Sequence, residues 1–227
     1  MTLRFVSAGA AHGLVEAVAR ERGVDITGSF GAVGAMLEKL DGGEPADVII
    51  LTHAQVVALE AQSRVVPGSV ADLGIVPTSI AVRSADPAPD VGSEAGLRAA
   101  LLAADTIHFP DPGRATAGIH FGKVLERLGL REALQARLRT YPNGATAMRS
   151  LAAAEGHPIG CTQATEILAT AGVRLVGALP RGYELDTIYT VAVHAHAADP
   201  EAAGAFVRAL TSAQSRERRA AAGFREG

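Results

Sequence analysis

The sequence predicts an α/β chain of two lobes built on doubly wound mixed sheets with a cleft between them. The first support is alternation: about the first 60 residues read β-α-β-α-β-α. The second is Asp47-Val48-Ile49-Ile50-Leu51-Thr52, a near-continuous apolar strand of the kind buried in a parallel sheet. The third is a long late strand, Thr187–His194, which a chain that merely appended a second lobe would not need. It predicts a return to the first lobe. Lobe one is therefore expected over 1–80, lobe two over 81–186, and the return to lobe one over 187–227.

In order, Leu3–Ser7 is a short strand followed by the small-residue turn Ala8–Gly13. Leu14, Val15, Val18 and Ala19 repeat at helical spacing until Gly23. Val24–Phe30 reads as a strand, Met36, Leu37 and Leu40 mark a helix closed by Gly42-Gly43, and Val56, Val57, Leu59 and Ala61 mark the next. Ile75–Arg83 is a strand, and Ser84–Gly92, with Pro87 and Pro89, is a stiff linker and a boundary candidate. Leu97–Leu102 is helical and Thr106–Phe109 a strand. A helix capped by Thr116 runs to near Gly129, and Leu134–Leu138 is a short helix leading to a strand at Leu138–Pro142. Asn143–Thr146 opens a helix, Pro158–Thr162 is a buried strand, Glu166–Ala169 a helix and Val173–Val176 a strand. Helices at Ala202–Leu210 and around Arg216–Arg219 finish the chain.

Composition bounds the function. Net charge −3 gives no electrostatic footprint for nucleic acid, and no apolar run approaches membrane-spanning length. Cys161 stands alone, so neither a disulfide nor a thiolate cage is expected. No histidine pair has zincin spacing, and Gly9, Gly31 and Gly34 do not make a dinucleotide fingerprint, so neither a metal nor a cofactor is expected. The chain opens directly on a strand, which reads as cytoplasmic as it stands and as periplasmic if a leader has been removed.

Thr106–Phe121 focuses the search for a site. A strand ends at Pro110-Asp111-Pro112, Arg114 precedes the cap, and the small residues Ala117 and Gly118 leave the first helical N–H groups uncovered. Such an end carries partial positive charge and unpaired donors suited to an anion. Arg114 adds a planar fork. An ordinary βα turn is the competing reading.

Phe5-Val6-Ser7-Ala8-Gly9-Ala10, Gly28-Ser29-Phe30, Gly43-Glu44-Pro45-Ala46-Asp47-Val48, Ala117-Gly118-Ile119, Leu125-Glu126-Arg127-Leu128-Gly129, Pro158-Ile159-Gly160 and Tyr189-Thr190-Val191-Ala192-Val193 together resemble the periplasmic molybdate-binding proteins of ABC transporters. The resemblance runs through essentially the whole chain. It implies the type II periplasmic-binding-protein fold, with two α/β lobes, two crossovers and an oxyanion in the cleft. It also implies ligand contacts from serine hydroxyls, backbone N–H groups at helix starts and a tyrosine. The first serine position falls at Gly9, beside Ser7 and Ala10, and the second within Ala32-Val33-Gly34. Backbone donors fall at Ala117 and near Ala145 within Asn143–Thr146, and the tyrosine position is Gln163. Backbone donors are kept while most hydroxyls are lost, which suits a carboxylate better than molybdate.

The ligand-binding candidates are thus Ser7, Gly9, Ala10, Val33, Gly34, Thr52, Arg114, Thr116, Ala117, Asn143, Ala145, Arg149, Thr162 and Gln163. The resemblance extends to enzymes of the aconitate-isomerase kind. A 1,3-proton shift in an unsaturated polycarboxylate needs a group that removes a proton beside a carboxylate and returns it elsewhere. If the chain is an enzyme, His12, His53 and Glu166 are the catalytic candidates, with Tyr189 as a possible assistant. Three functions follow: binding of a small carboxylate-bearing anion, isomerisation of an unsaturated polycarboxylate, or oxyanion delivery to an ABC permease if an exported form exists.

Overall fold

The computed structural model describes Thr2–Glu226, and the chain divides into two compact units, Met1–Val76 with Thr187–Gly227, and Pro77–Asp186. The chain passes between them at Val76–Pro77 and at Asp186–Thr187.

In the first unit, β1 (Thr2–Ala8) lies between β2 (Asp25–Gly31) and β3 (Val48–Thr52), parallel to both. β9 (Asp186–Val193) returns antiparallel to β3, placing Tyr189 opposite Thr52. The helices α1 (His12–Arg22), α2 (Val33–Asp41) and α3 (His53–Ala61) each start where one of these parallel strands ends. Gly23 closes α1 in the left-handed region at φ 62°, where glycine carries no Cβ penalty. Gly28 answers a steric demand, since a Cβ there would lie 2.0 Å from the Phe5 carbonyl oxygen.

The completely buried Phe5 meets the Phe30 ring at 5.9 Å and the Phe206 ring at 5.4 Å, tying β1 to β2 and to the later helix α8 (Pro200–Thr211). Asp47 is the polar counterpart of that tie. Its carboxylate accepts from the Arg4 main-chain N–H at 2.8 Å, from Arg4 Nε at 3.0 Å and Nη2 at 2.8 Å, and from the Ala198 N–H at 2.8 Å.

The second unit is built on the later part of β4 (Ala71–Arg83), paired antiparallel with β7 (Ile159–Gln163), then β5 (Ile107–Pro110) and β6 (Leu138–Tyr141), with β8 (Val173–Ala178) on the other edge of β4. β5, β6 and β7 are mutually parallel. One apolar cluster joins Ile80, Ile107, Phe109 and Cys161 to Leu97 and Leu101 of α4 (Glu94–Ala103) and to Phe121, Val124 and Leu125 of α5 (Thr116–Arg127). A second joins Ala81 to Ala147, Met148 and Leu151 of α6 (Gly144–Ala152) and Ile167 of α7 (Ala164–Leu168). Alternation along β4 sends Ile80 to one cluster and Ala81 to the other, the period-2 signature of a sheet covered on both faces.

Three sequence expectations shift. Ser84–Gly92 lies inside the second unit, where Arg83 Nε holds Asp86 at 2.7 Å, so it is no boundary. Leu134–Leu138 forms only a 3-10 turn at Gln135–Arg137 before β6 begins. β4 starts at Ala71 rather than Ile75, since Gly74, at φ 138°, is accommodated in the strand just before Ile75, which pairs with Arg225.

Candidate functional site

Parallel strands put their carboxyl ends on one edge, and in open α/β sheets ligands are taken up there. In the first unit that edge gathers Ser7 and Ala8, the 3-10 turn Gly9–Ala11, the α2 start at Val33 and Gly34, and Thr52 with His53. Neither α1 nor α2 receives a side-chain cap, because Ala11 and Ala32 stand at the cap positions. The two hydroxyls predicted here are engaged within the protein. Ser7 Oγ, fully buried, donates to the Ala8 carbonyl at 3.0 Å, and Thr52 Oγ1 donates to Gln55 Oε1 at 2.6 Å. His12 Nε2 sits 3.3 Å from Glu16 Oε1, and its ring lies 4.2 Å from that of Phe30.

His53 is more constrained. Its Nδ1 is 3.0 Å from Asp72 Oδ1 and 3.3 Å from Thr190 Oγ1, and the Thr190 hydroxyl itself donates to Asp72. With Asp72 accepting from both, the tautomer consistent with the network carries its proton on Nδ1. Nε2 then presents its lone pair, on a side chain that is 49% exposed. An imidazole fixed by a carboxylate at one nitrogen and available at the other is the arrangement of a general base. Neither Asp72 nor Thr190 was among the predicted residues.

In the second unit, the carboxyl edge of β5, β6 and β7 gathers Arg114, Thr116 and Ala117, then Asn143 and Ala145, then Thr162, Gln163 and Glu166. Ala115, in extended conformation, is the cap residue of α5, and no side-chain cap hydrogen bond forms there. Thr116 is thus the first helical residue rather than the cap, because Asp111 folds the loop by accepting from the Gly113 N–H at 2.6 Å and the Ala115 N–H at 3.1 Å. Gly118 is fixed by space: a Cβ would fall 2.2 Å from the Pro110 carbonyl oxygen and 2.4 Å from that of Asp111. Arg114 is exposed beside this start.

The start of α6 is built differently. Asn143 Oδ1 accepts from the Thr146 N–H at 2.9 Å, and exposed Arg149 donates to Thr146 Oγ1 at 3.0 Å. Glu166 reaches the same turn. It accepts from Thr162 Oγ1 at 2.6 Å and from the main-chain N–H groups of Gln163, Ala145 and Gly144. Burial raises the Glu166 carboxyl above its ordinary range, and these four donors pull it back only in part. The hydroxyls of Thr165, the residue before it, and of Thr78, opposite Gln163 in the β4–β7 pairing, are buried with no hydrogen-bond partner.

His120, on α5, has Nε2 2.7 Å from the Tyr183 carbonyl oxygen and so donates to it. Burial pushes the Cys161 thiol up, as befits a small core residue.

The chain belongs to the bacterial extracellular solute-binding protein family, whose profile matches residues 3–225. Among characterised proteins it is similar to an aconitate isomerase of a Pseudomonas species, 28% identical over 179 residues. That match takes in 78% of this chain and 66% of the relative, just under two thirds of its length. Among solved structures it is similar to the periplasmic molybdate-binding protein of Azotobacter vinelandii, with TM-score 0.76 and 21% identity over 99% of each chain. It is also similar to a sulfate-binding protein of Mycobacterium tuberculosis, with TM-score 0.70 and 18% identity over 100% of this chain and 87% of that one. At those identities the likeness establishes the fold, the two-lobed α/β fold of periplasmic binding proteins. The solute-binding family and fold that the resemblance read from the sequence implies are those found.

Proposed function

We propose that the chain binds a small carboxylate-bearing anion at the helix starts on the carboxyl edges of its sheets. The observation that carries this reading is the start of α5. It has no side-chain cap, it cannot accept a side chain at Gly118, and the exposed Arg114 immediately precedes its cap residue. An uncapped helix start supplies N–H donors and partial positive charge, and arginine supplies a fork matched to a carboxylate. The hydroxyls that the resemblance would assign to molybdate are replaced by Gly9 and Val33-Gly34, and the one at Ser7 is spent on Ala8. Thermal unfolding of the chain with citrate, the aconitates, molybdate, tungstate and sulfate tests this, because a ligand of the folded state stabilises by RT ln(1 + [L]/Kd). Polycarboxylates should raise Tm. A rise at micromolar molybdate would overturn the reading and mark an oxyanion receptor serving an ABC permease.

A second reading, isomerisation of an unsaturated polycarboxylate by a proton shift, is favoured by the His53–Asp72–Thr190 arrangement. The similarity to a relative named for aconitate supports it, aconitate being such a compound. His53 Nε2 would take the proton beside a carboxylate and return it elsewhere on the carbon frame, with Asp72 holding the ring and stabilising the imidazolium. Of the other catalytic candidates, Glu166 is enclosed by its four donors, and His12, 3.3 Å from Glu16, remains a second candidate base. Incubation with cis- or trans-aconitate in deuterated water should give vinylic exchange or isomer interconversion by NMR. An unchanged spectrum would remove this reading and leave the binding one standing.

A further inference from the structure

We propose that Glu166 is a resident anion: its carboxylate takes the place of a solute's anionic group at the start of α6 and denies those amides to any ligand. The inference rests on the reading that the solute is an anion held by helix starts, and it narrows that reading.

The side chain is shaped for that role. Glu166 is 7% exposed, yet its carboxylate is met by one hydroxyl and three main-chain N–H groups, two of them the first amides of a nine-residue helix. A carboxylate out of water is costly unless donors surround it, and here they do. The opposing backbone is stripped to make room. A Cβ on Gly144 would lie 1.9 Å from Glu166 Oε2 and 2.1 Å from Thr162 Oγ1, so the peptide faces the carboxylate bare. Nothing about capping requires this, since Asn143 already caps the helix through the Thr146 N–H. What Glu166 adds is a pair of carboxyl oxygens facing the positive end of the helix dipole.

The consequence concerns the charge of the solute. Among the three longer helices of this unit, α4 is capped by Ser93, α6 by Asn143 together with Glu166, and α5 by no side chain. With Glu166 in place, this unit offers the solute one helix start rather than two. It therefore holds one anionic group, not a pair.

Removing the carboxylate should convert the α6 start into a site for a small anion. In Glu166→Ala, formate is expected to raise Tm saturably, by about 3 °C at ten times its Kd, relative to chloride at the same ionic strength. Wild type and Glu166→Gln, in which the space stays filled, should show only the response that the open α5 start gives, well below that of Glu166→Ala. A Glu166→Ala variant indifferent to formate, or a wild type that responds equally, would overturn the proposal. Should that variant fail to accumulate folded, its refolding yield from urea decides in the same way. A several-fold higher yield in formate than in chloride supports the resident anion, and equal yields refute it. The wild-type response to citrate and the aconitates, measured alongside, judges the solute reading separately. Formate rescue without any polycarboxylate response would sink that reading and leave the role of Glu166 intact.

Discussion

An imidazole held at one nitrogen by a carboxylate acts as a base toward any carbon acid brought to the other, and His53 is held in this way by Asp72 and Thr190. If the chain isomerises its ligand, Asp72→Asn should slow proton exchange by about 100-fold, while Tm stays near wild type because the pair is half exposed. Exchange that survives this change at the wild-type rate would remove His53 from the mechanism. Arg114→Gln tests binding rather than catalysis. Losing one charge-assisted contact should weaken carboxylate affinity by about 10-fold or more, read by titration calorimetry, and an unchanged Kd would place the anion elsewhere. His53 could be found from sequence because a histidine just past a strand end is a local pattern. Its partners could not, since Asp72 is 19 and Thr190 is 137 residues away. Glu166 and the Asn143–Thr146 turn could likewise each be found while their pairing could not, because only the fold brings α6 and α7 together.

Between elements, Asp47 does the most joining, holding β1 through Arg4 and the segment before α8 through Ala198. The Arg4 guanidinium holds its carboxyl well below the usual range, at about 2. The folded chain thus binds that proton more weakly than the unfolded chain does. The stability this gives, about 2 kcal/mol, is complete above about pH 4 and is lost as pH falls through 2. Asp47→Asn should lose stability at pH 7 and flatten the dependence over that window in urea titrations. A variant as acid-sensitive as wild type there would contradict the assignment. Gly118→Ala asks a packing question. With no space between the α5 start and the carbonyls of Pro110 and Asp111, it should cost about 2 kcal/mol or more, and a neutral effect on the urea midpoint would show that the loop yields. Elements with clean periodicity, such as the Val48–Thr52 strand and the α1 stripe of Leu14, Val15 and Val18, could be read directly. The start of β4 could not, because Gly74 looks like a turn until Arg225 pairs beside it. The 3-10 turn at Gln135–Arg137 is too short to leave a period at all.

At the scale of the chain, the family and its two-lobed α/β fold could be read because the quoted segments recur in order through the whole sequence, and the profile match over residues 3–225 agrees. The ligand could not be read from that resemblance, because a fold held by amides at helix starts keeps its backbone donors whatever side chains surround them. The surrounding side chains therefore bear on the ligand: Gly9 and Val33-Gly34 without hydroxyls, Arg114 beside the bare start of α5, and Glu166 filling the start of α6. Titration calorimetry of the intact chain with trans-aconitate, citrate and molybdate in the same buffer puts this to the most direct trial. Saturable heat with a tricarboxylate and none with molybdate is the predicted result. Micromolar molybdate binding that a tricarboxylate does not displace would contradict it.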